Sequence, residues 1–110
     1  MIKQFAKVEI SGIVAASPTI EFKQSGKALL RMAVFVNQGE EADYINLIAW
    51  ENKAKYIVDR IEKGDSIYVE CFIRARFYGE ENNRKYGIEF IVNEVLAYEK
   101  KQVKESPTNE

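Results

Sequence analysis

The sequence contains no histidine and a single cysteine, Cys71, among its 110 residues. Without these side chains the chain cannot form a standard zinc site, a Cys–His pair or a Ser–His–Asp triad. No pair of carboxylates stands out for acid–base chemistry either. We therefore expect a protein that is not an enzyme and that binds no metal and no other cofactor. A lone cysteine also excludes an intrachain disulfide framework, which is typical of proteins in a reducing compartment.

Long apolar runs and an excess of one charge are also missing. No apolar stretch approaches the ~20 residues that a membrane-spanning helix needs, and the N-terminus lacks the apolar region of a signal peptide. We expect a cytoplasmic protein with no membrane partner. The 16 basic and 17 acidic side chains nearly balance, which argues against nucleic-acid binding through bulk charge. A local stripe of Lys and Arg would still allow such binding.

Alternating apolar and polar residues predict five strands. These predicted strands cover residues 6–16, 28–37, 43–50, 66–78 and 85–96. Gly12 inside the first predicted strand indicates a bend or a bulge, as a small barrel requires. A polar loop is expected at residues 38–42, between the second and third strands.

A helical period separates the third strand from the fourth. Its apolar stripe has the spacing i, i+3, i+4, i+7 and consists of Ala54, Ile57, Val58 and Ile61. Asn52 is the expected N-cap residue, and Gly64 is the expected glycine at the helix end. Three strands, a helix and two strands follow one another in the order of an OB-fold. We therefore predict an all-β, five-stranded OB-fold Greek-key barrel with one short helix between strands 3 and 4.

The predicted barrel covers residues 1–98. Beyond it the composition changes to Lys, Glu, Gln, Ser, Pro, Thr and Asn, which predicts a flexible polar tail over residues 99–110.

Aromatic rings interleaved with cations are what a sequence-tolerant binder of single-stranded nucleic acid needs, because a single strand exposes flat bases and a charged backbone. Three predicted strand faces have this composition. The candidate nucleic-acid-binding residues are Arg31 and Phe35 on the second strand, Tyr44, Asn46 and Trp50 on the third, and Arg74, Arg76 and Tyr78 on the fourth. The strands of Tyr44, Trp50 and Tyr78 each have an apolar face on the opposite parity. These three rings are therefore expected to point outward.

Other roles for the same residues stay open. Phe35 shares its face with Leu29 and Ala33, and the three could form a second small apolar cluster. The arginines could pair across strands with Glu70 or Glu89. The whole aromatic face could be a protein interface, where Tyr and Trp are also enriched. The alternative hypothesis is therefore an OB-fold protein-interaction accessory of the primosomal or recombination type.

Several segments together resemble the bacterial and phage single-stranded DNA-binding protein (SSB) family, from about Val8 to Tyr98. They are VEISGIV at 8–14, Ser17-Pro18, Ser25-Gly26, DYINLIAW at 43–50, KGDSIYVE at 63–70 and IRARFY at 73–78. The resemblance implies an OB-fold that binds single-stranded DNA in replication, recombination or repair. It also implies a homo-oligomer, either a tetramer or a dimer.

The resemblance extends to individual residues. It implies base stacking by Tyr44, Trp50 and Tyr78, and contacts to the DNA strand by Arg74 and Arg76. Two features depart from the family. Residues 38–42 contain no aromatic, where the family often has a stacking Trp, and the sequence ends in ESPTNE instead of an acidic tip closing on Pro-Phe. Recruitment of replication proteins through such a tip is therefore not expected.

Overall fold

Six strands and one helix are formed within residues 1–102, the part of the chain that the computed structural model describes. The strands are β1 (Lys7–Val14), β2 (Thr19–Phe22), β3 (Ala28–Gln38), β4 (Glu41–Trp50), β5 (Ser66–Tyr78) and β6 (Lys85–Glu99), and the helix α1 (Glu51–Arg60) lies between β4 and β5. Within these described residues, no helix has the length and apolar character needed to cross a bilayer.

The sheet closes into a barrel because β1 changes partners along its length. β1 pairs antiparallel with β5 up to Ile13, and Ile13 and Val14 then pair with β3. The other neighbours around the barrel are β5 with β6, β6 with β4 and β4 with β3, and only the β4–β6 pairing is parallel. A Cβ atom at Gly12 would lie 2.7 Å from the carbonyl oxygen of Phe35. The glycine that the sequence marked as a bend thus permits this close approach, and the predicted OB-fold barrel is confirmed.

The short strand β2 was not predicted. Its residues Thr19–Phe22 pair with Ala28–Arg31 at the start of β3, beside the closed barrel. Four mostly exposed residues carry too little alternation to be recognised as a strand. The count of five strands therefore holds for the barrel, and the sheet as a whole has six.

The predicted loop at residues 38–42 was wrong. β3 continues to Gln38 and β4 begins at Glu41, so a two-residue turn joins them. Gly39 has a φ of 67°, the left-handed conformation that tight hairpin turns require. The Nε2 of Gln38 donates a hydrogen bond of 2.8 Å to Oδ2 of Asp43. The polar residues that suggested a loop therefore pair across a hairpin.

The helix begins two residues before the point expected from Asn52, so that N-cap prediction was wrong. Trp50 occupies the N-cap position, without a side-chain capping bond, and Glu51 follows with a φ of 52°. The Glu51 carboxylate accepts a hydrogen bond of 2.6 Å from the N–H of Ala28, which ties the start of the helix to β3. At the other end the helix stops at Arg60, and Gly64 lies in the turn that follows it.

The core fills the barrel with alternate residues of its strands and is closed by the helix. Its fully buried side chains include Leu30, Val34, Leu47, Ile57, Ile67, Val69 and Cys71. Burial of each large aliphatic side chain contributes roughly 1.5–3 kcal/mol. The predicted helical stripe is confirmed, since Ala54, Ile57 and Ile61 are buried and Val58 packs against them. Burial raises the pKa of the Cys71 thiol to about 11, which makes it an inert core residue.

A buried carboxylate fastens the end of β6 to the turn before β5. Asp65, with 1% of its side chain exposed, accepts a bond of 2.6 Å from Nζ of Lys100. It also accepts bonds from the backbone N–H groups of Glu62 (2.7 Å) and Lys101 (2.9 Å). Burial alone would raise the pKa of Asp65, but these donors lower it to about 2. Lys100 and Lys101, near the start of the predicted tail, are thus held here, and residues 103–110 lie outside the described residues.

Candidate nucleic-acid interface

The outer face of β3 and β4 brings most of the predicted site residues side by side. Its cross-strand pairs are Leu29 with Trp50, Arg31 with Ile48, Ala33 with Asn46 and Phe35 with Tyr44. Alternate residues of a strand share one face, and the opposite face of both strands is the barrel core. The β3–β4 ladder therefore carries aromatic, basic and amide side chains on a single surface.

The aromatic pair Phe35 and Tyr44 occupies one end of this face. Tyr44 is 69% exposed, and its ring meets the half-buried ring of Phe35 edge to face, with 4.9 Å between centroids. Edge-to-face geometry is a favourable arrangement for two rings. Phe35 thus packs against the Tyr44 ring and leaves most of that ring accessible to solvent.

Trp50 stands at the other end of the face, where β4 passes into α1. It is half-buried, with the core residues Leu47 and Ala49 on the opposite parity. The left-handed backbone of Glu51 and its carboxylate bond to Ala28 hold the turn that directly follows Trp50. Sequence reasoning missed Glu51 as a positioning residue, because a left-handed φ at a glutamate has no recognisable sequence signal.

Arg74, Arg76 and Tyr78 lie on the far part of the β5–β6 ladder, which we call the arm (residues 73–91). All three side chains are exposed. Their cross-strand partners are Glu89, Gly87 and Lys85. Ile91, two residues from Glu89 on the same face, pairs with Ile48 of β4. The outer face of β3 and β4 therefore continues onto the arm, and all the predicted site residues belong to one surface.

A groove of about 400 Å³ joins the two parts of this surface. Arg31, Asn46 and Ile48 line it from the barrel, and Ile88 and Glu89 line it from the arm. Asn46 is exposed here, so its amide can donate and accept hydrogen bonds at the middle of the surface.

Two of the three arginines already have carboxylate partners. Nε of Arg31 lies 3.4 Å from Oε1 of Glu21, and Nε of Arg76 lies 3.3 Å from Oε2 of Glu89. The pairing of Arg76 with Glu89 confirms one of the alternatives that the sequence left open. No acidic side chain in residues 1–102 forms an ion pair with Arg74. Both of these arginine side chains remain more than half exposed, and ion pairs that water reaches contribute little, so neither carboxylate closes its arginine to a phosphate group.

Gly87 lets the ring of Tyr78 lie against the arm. A Cβ atom at Gly87 would collide with the hydroxyl oxygen of Tyr78 and lie 3.1 Å from its Cζ. Sequence reasoning missed Gly87 as a positioning residue, although a glycine inside a strand is a signal for close approach. Any larger residue at this position would move the Tyr78 ring away from the backbone of β6.

The chain is similar in sequence to several proteins that are named for single-stranded DNA binding. The chain is 28% identical over 104 residues to "Single-stranded DNA-binding protein 3" of Listeria innocua, which covers 87% of this chain and 65% of that protein. It is 29% identical over 98 residues to the "Single-stranded DNA-binding protein" of Halalkalibacterium halodurans, covering 83% of this chain and 56% of that protein. For the protein of the same name from Bacillus cereus the identity is 30% over 99 residues, covering 83% of this chain and 55% of that protein.

The chain thus spans between about half and two thirds of the length of these relatives. The model of the single-strand binding protein family matches residues 5–98, which include the arm and all of the barrel except Glu99, the last residue of β6. By that match over most of its length, the chain belongs to the single-strand binding protein family.

Proposed function

We propose that this protein binds single-stranded DNA without sequence specificity and without catalysis, and that it acts in the cytoplasm in DNA replication, recombination or repair. Bases stack on Tyr44, Trp50 and Tyr78, while Arg31, Arg74 and Arg76 contact phosphates. Phe35 supports the Tyr44 ring, and Asn46 binds base or backbone atoms between the rings. The relatives named above carry single-stranded DNA-binding in their names, and this activity is proposed for the present chain.

The observation that carries the proposal is the common surface of these side chains. The register of β3 with β4, of β4 with β6 and of β6 with β5 puts accessible rings and cations on one continuous face. Stacking on an aromatic ring tolerates every base because each base has a π-face. Arginines that contact only phosphates add affinity without reading sequence.

The first test is a titration of Trp50 emission with dT oligonucleotides at low and high salt. Trp50 is the only tryptophan of the chain, so stacking of a base on its ring should quench a single-site signal. We expect strong quenching that weakens as salt is added, since phosphate contacts release counterions. If Trp50 is not quenched at low salt and gel shift shows no complex, the chain does not bind single-stranded DNA.

Arg74 provides a quantitative second test, because its guanidinium forms no ion pair within residues 1–102. Arg74→Ala should lower the slope of log affinity against log salt by about 0.7, the value expected for one phosphate contact on a single strand. Lys55→Ala is the matched control, since Lys55 is an exposed cation on α1. An equal slope for wild type and Arg74→Ala would remove Arg74 from the phosphate contacts.

Self-association is part of the proposal, as a homodimer or homotetramer. The edge of β1 that faces away from β5 pairs with β3 only at Ile13 and Val14, so its backbone groups from Lys7 to Gly12 have no strand partner in residues 1–102. Such an edge is a template for pairing with another strand. Sedimentation at several concentrations checks this point, and a monomer throughout would contradict it.

One observation favours the second candidate, a protein-interaction accessory. On the face of the arm opposite to the arginines, Phe77, Tyr86 and Ile88 are 62%, 61% and 53% exposed, and exposed apolar side chains that adjoin one another are typical of interfaces. The titration decides between the candidates. If the ligand of this surface is a protein and not DNA, dT should leave the Trp50 emission unchanged at low salt.

A further inference from the structure

A second groove lies beside the proposed site, between the N-terminal segment and the outer face of β5 and β6. Its volume is about 780 Å³. Residues 3–7 form one wall, and Phe72, Arg74 and Ile91 contribute to the other. The N–H of Ile73 donates a bond of 3.0 Å to the carbonyl of Ala6, so the first wall is fixed to β5 directly beside the groove.

The lining of this groove combines an accessible ring with cations. Phe5 is 72% exposed, and Nζ of Lys7 lies 5.8 Å from its ring centroid. Lys3 and Arg74 also line the groove, and no carboxylate does. The nearest acidic partner is Glu70, whose Oε1 is 3.6 Å from Nζ of Lys7. An exposed ring among cations is the composition that binds a base together with its phosphates.

The groove is continuous with the proposed DNA surface through one shared residue. Arg74 lines the groove and stands two residues from Arg76 on the same face of β5. Phe72 precedes Arg74 on that face and pairs with Ile91. A single DNA strand that follows Tyr78, Arg76 and Arg74 along β5 therefore reaches the groove without leaving the outer face of β5.

We propose that the N-terminal segment forms an additional subsite for the same single strand. A base stacks on Phe5, and Lys3 and Lys7 contact the adjoining phosphates. This inference rests on the proposed function, because the occupant is the continuation of the strand already bound at Arg74. The charge of the groove favours this occupant over a second copy of the chain. A two-fold contact here would bring Lys3, Lys7 and Arg74 of both copies together, and in each copy only Glu70, beside Lys7, would offset their charge.

The test measures how affinity depends on oligonucleotide length. Wild type and Phe5→Ala are titrated, through Trp50 emission, with dT oligonucleotides from about 4 to about 16 nucleotides, the range of site sizes of OB-folds. We expect equal affinity for the shortest oligonucleotides. For the longest, Phe5→Ala should bind roughly 5- to 150-fold more weakly, the loss of one stacked base.

Phe22→Ala is the matched control. Phe22 is 66% exposed, close to the exposure of Phe5, and it lies on β2 away from the groove. It should bind every length as wild type does. Circular dichroism and sedimentation of both variants check that neither fold nor oligomeric state has changed, which is expected because both rings are largely exposed.

The cations give an independent measurement. The double substitution of Lys3→Ala with Lys7→Ala should lower the salt slope by about 1.4 for long oligonucleotides, or about 0.7 per phosphate contact, and leave it unchanged for short ones.

The outcomes separate the two proposals. If wild type binds dT and Phe5→Ala binds the longest oligonucleotide equally well, the subsite is overturned and the proposed function stands. If Phe5→Ala changes the oligomeric state with no dependence on length, the groove is a contact between copies, and the subsite is likewise overturned. If wild type binds no dT at all, the proposed function fails and the subsite fails with it.

Discussion

The two halves of the β5–β6 ladder are both antiparallel but differ in what covers them. In the barrel half, the inward side chains Ile67, Val69 and Cys71 are at most 1% exposed. In the arm, the same parity continues to Phe77, which is 62% exposed, and the outer parity carries the exposed Arg74, Arg76 and Tyr78. The two register shifts of the ladder lie in the barrel half, so the halves differ in the regularity of their pairing as well as in burial.

This difference separates stability from binding. Removal of a side chain from the barrel half leaves a cavity in the core, which lowers the free energy of unfolding. Removal of a side chain from the arm creates no cavity, because water already contacts it. Substitutions in the arm should therefore change binding and leave stability unchanged. Substitutions near the barrel end of β6 should lower stability and leave binding unchanged.

Tyr78→Ala should give the largest effect on binding within the ladder. Loss of one stacking ring weakens binding to dT by about 1–3 kcal/mol, while the melting temperature stays within error because Tyr78 is 52% exposed. The measurement combines Trp50 titration with thermal unfolding. Tyr86→Ala is the control, an equally placed tyrosine on the opposite face of the arm that is 61% exposed. Equal weakening by both variants would show that the two faces of the arm do not differ in DNA binding.

Asp65→Asn should have the opposite signature, with stability lowered and binding kept. The pKa of Asp65 is lowered from 3.8 to about 2, which corresponds to about 2 kcal/mol of stability from the ionised form. A lowered pKa contributes stability that is complete above pH about 4 and is lost as pH falls toward about 2. The free energy of unfolding of the wild type, measured with urea, should therefore fall as the pH is lowered through this window. The variant should lack this part of the pH dependence. Lys63→Ala, an exposed cation in the same turn, serves as the control. A variant as stable as wild type at neutral pH would show that the bonds to Lys100 and Lys101 contribute nothing.

The sequence predicted the barrel half of the ladder better than it predicted the arm. Period-2 alternation identified the inward face of Ile67, Val69 and Cys71, because burial on one side leaves a clear pattern. On the arm, parity again placed Arg74, Arg76 and Tyr78 on one face. The contacts between side chains had no such signal, so the ion pair of Arg76 had to be left as one of several alternatives.

The same limit applies at both ends of β4. The turn at Gly39 and the helix start at Glu51 depend on single backbone conformations that tertiary contacts select. Composition suggested a loop at the first position, where polar residues flank a glycine, and an Asn52 cap at the second, since Asn favours helix N-caps. The face of the strand on which each side chain lies could thus be predicted from the sequence. The local backbone geometry and the bond between Glu51 and Ala28 could not.

Gly87→Ala tests the arm by moving a ring instead of removing it. The new methyl group would occupy the place of the Tyr78 hydroxyl, so the ring must tilt away, and we expect a loss of affinity of about 1 kcal/mol, at the low end of the range for one stacked base. The double variant with Tyr78→Ala should bind no more weakly than Tyr78→Ala alone, because the two substitutions act through the same ring. Additive losses would mean that Gly87 affects binding independently of Tyr78.

Glu89→Gln is expected to give the smallest change, and it is a gain. Glu89 is the partner of Arg76 at 3.3 Å, and a phosphate that approaches Arg76 must displace it. Exposed ion pairs contribute about 0.2–1 kcal/mol, so release of Arg76 should strengthen binding to dT by no more than this amount. Glu80→Gln removes the same charge from the exposed turn of the arm and controls for the general change in potential. In an Arg76→Ala background the gain from Glu89→Gln should fall to that of Glu80→Gln. If it does not fall, Glu89 repels the strand directly, and Arg76 is not the cation that its carboxylate restrains.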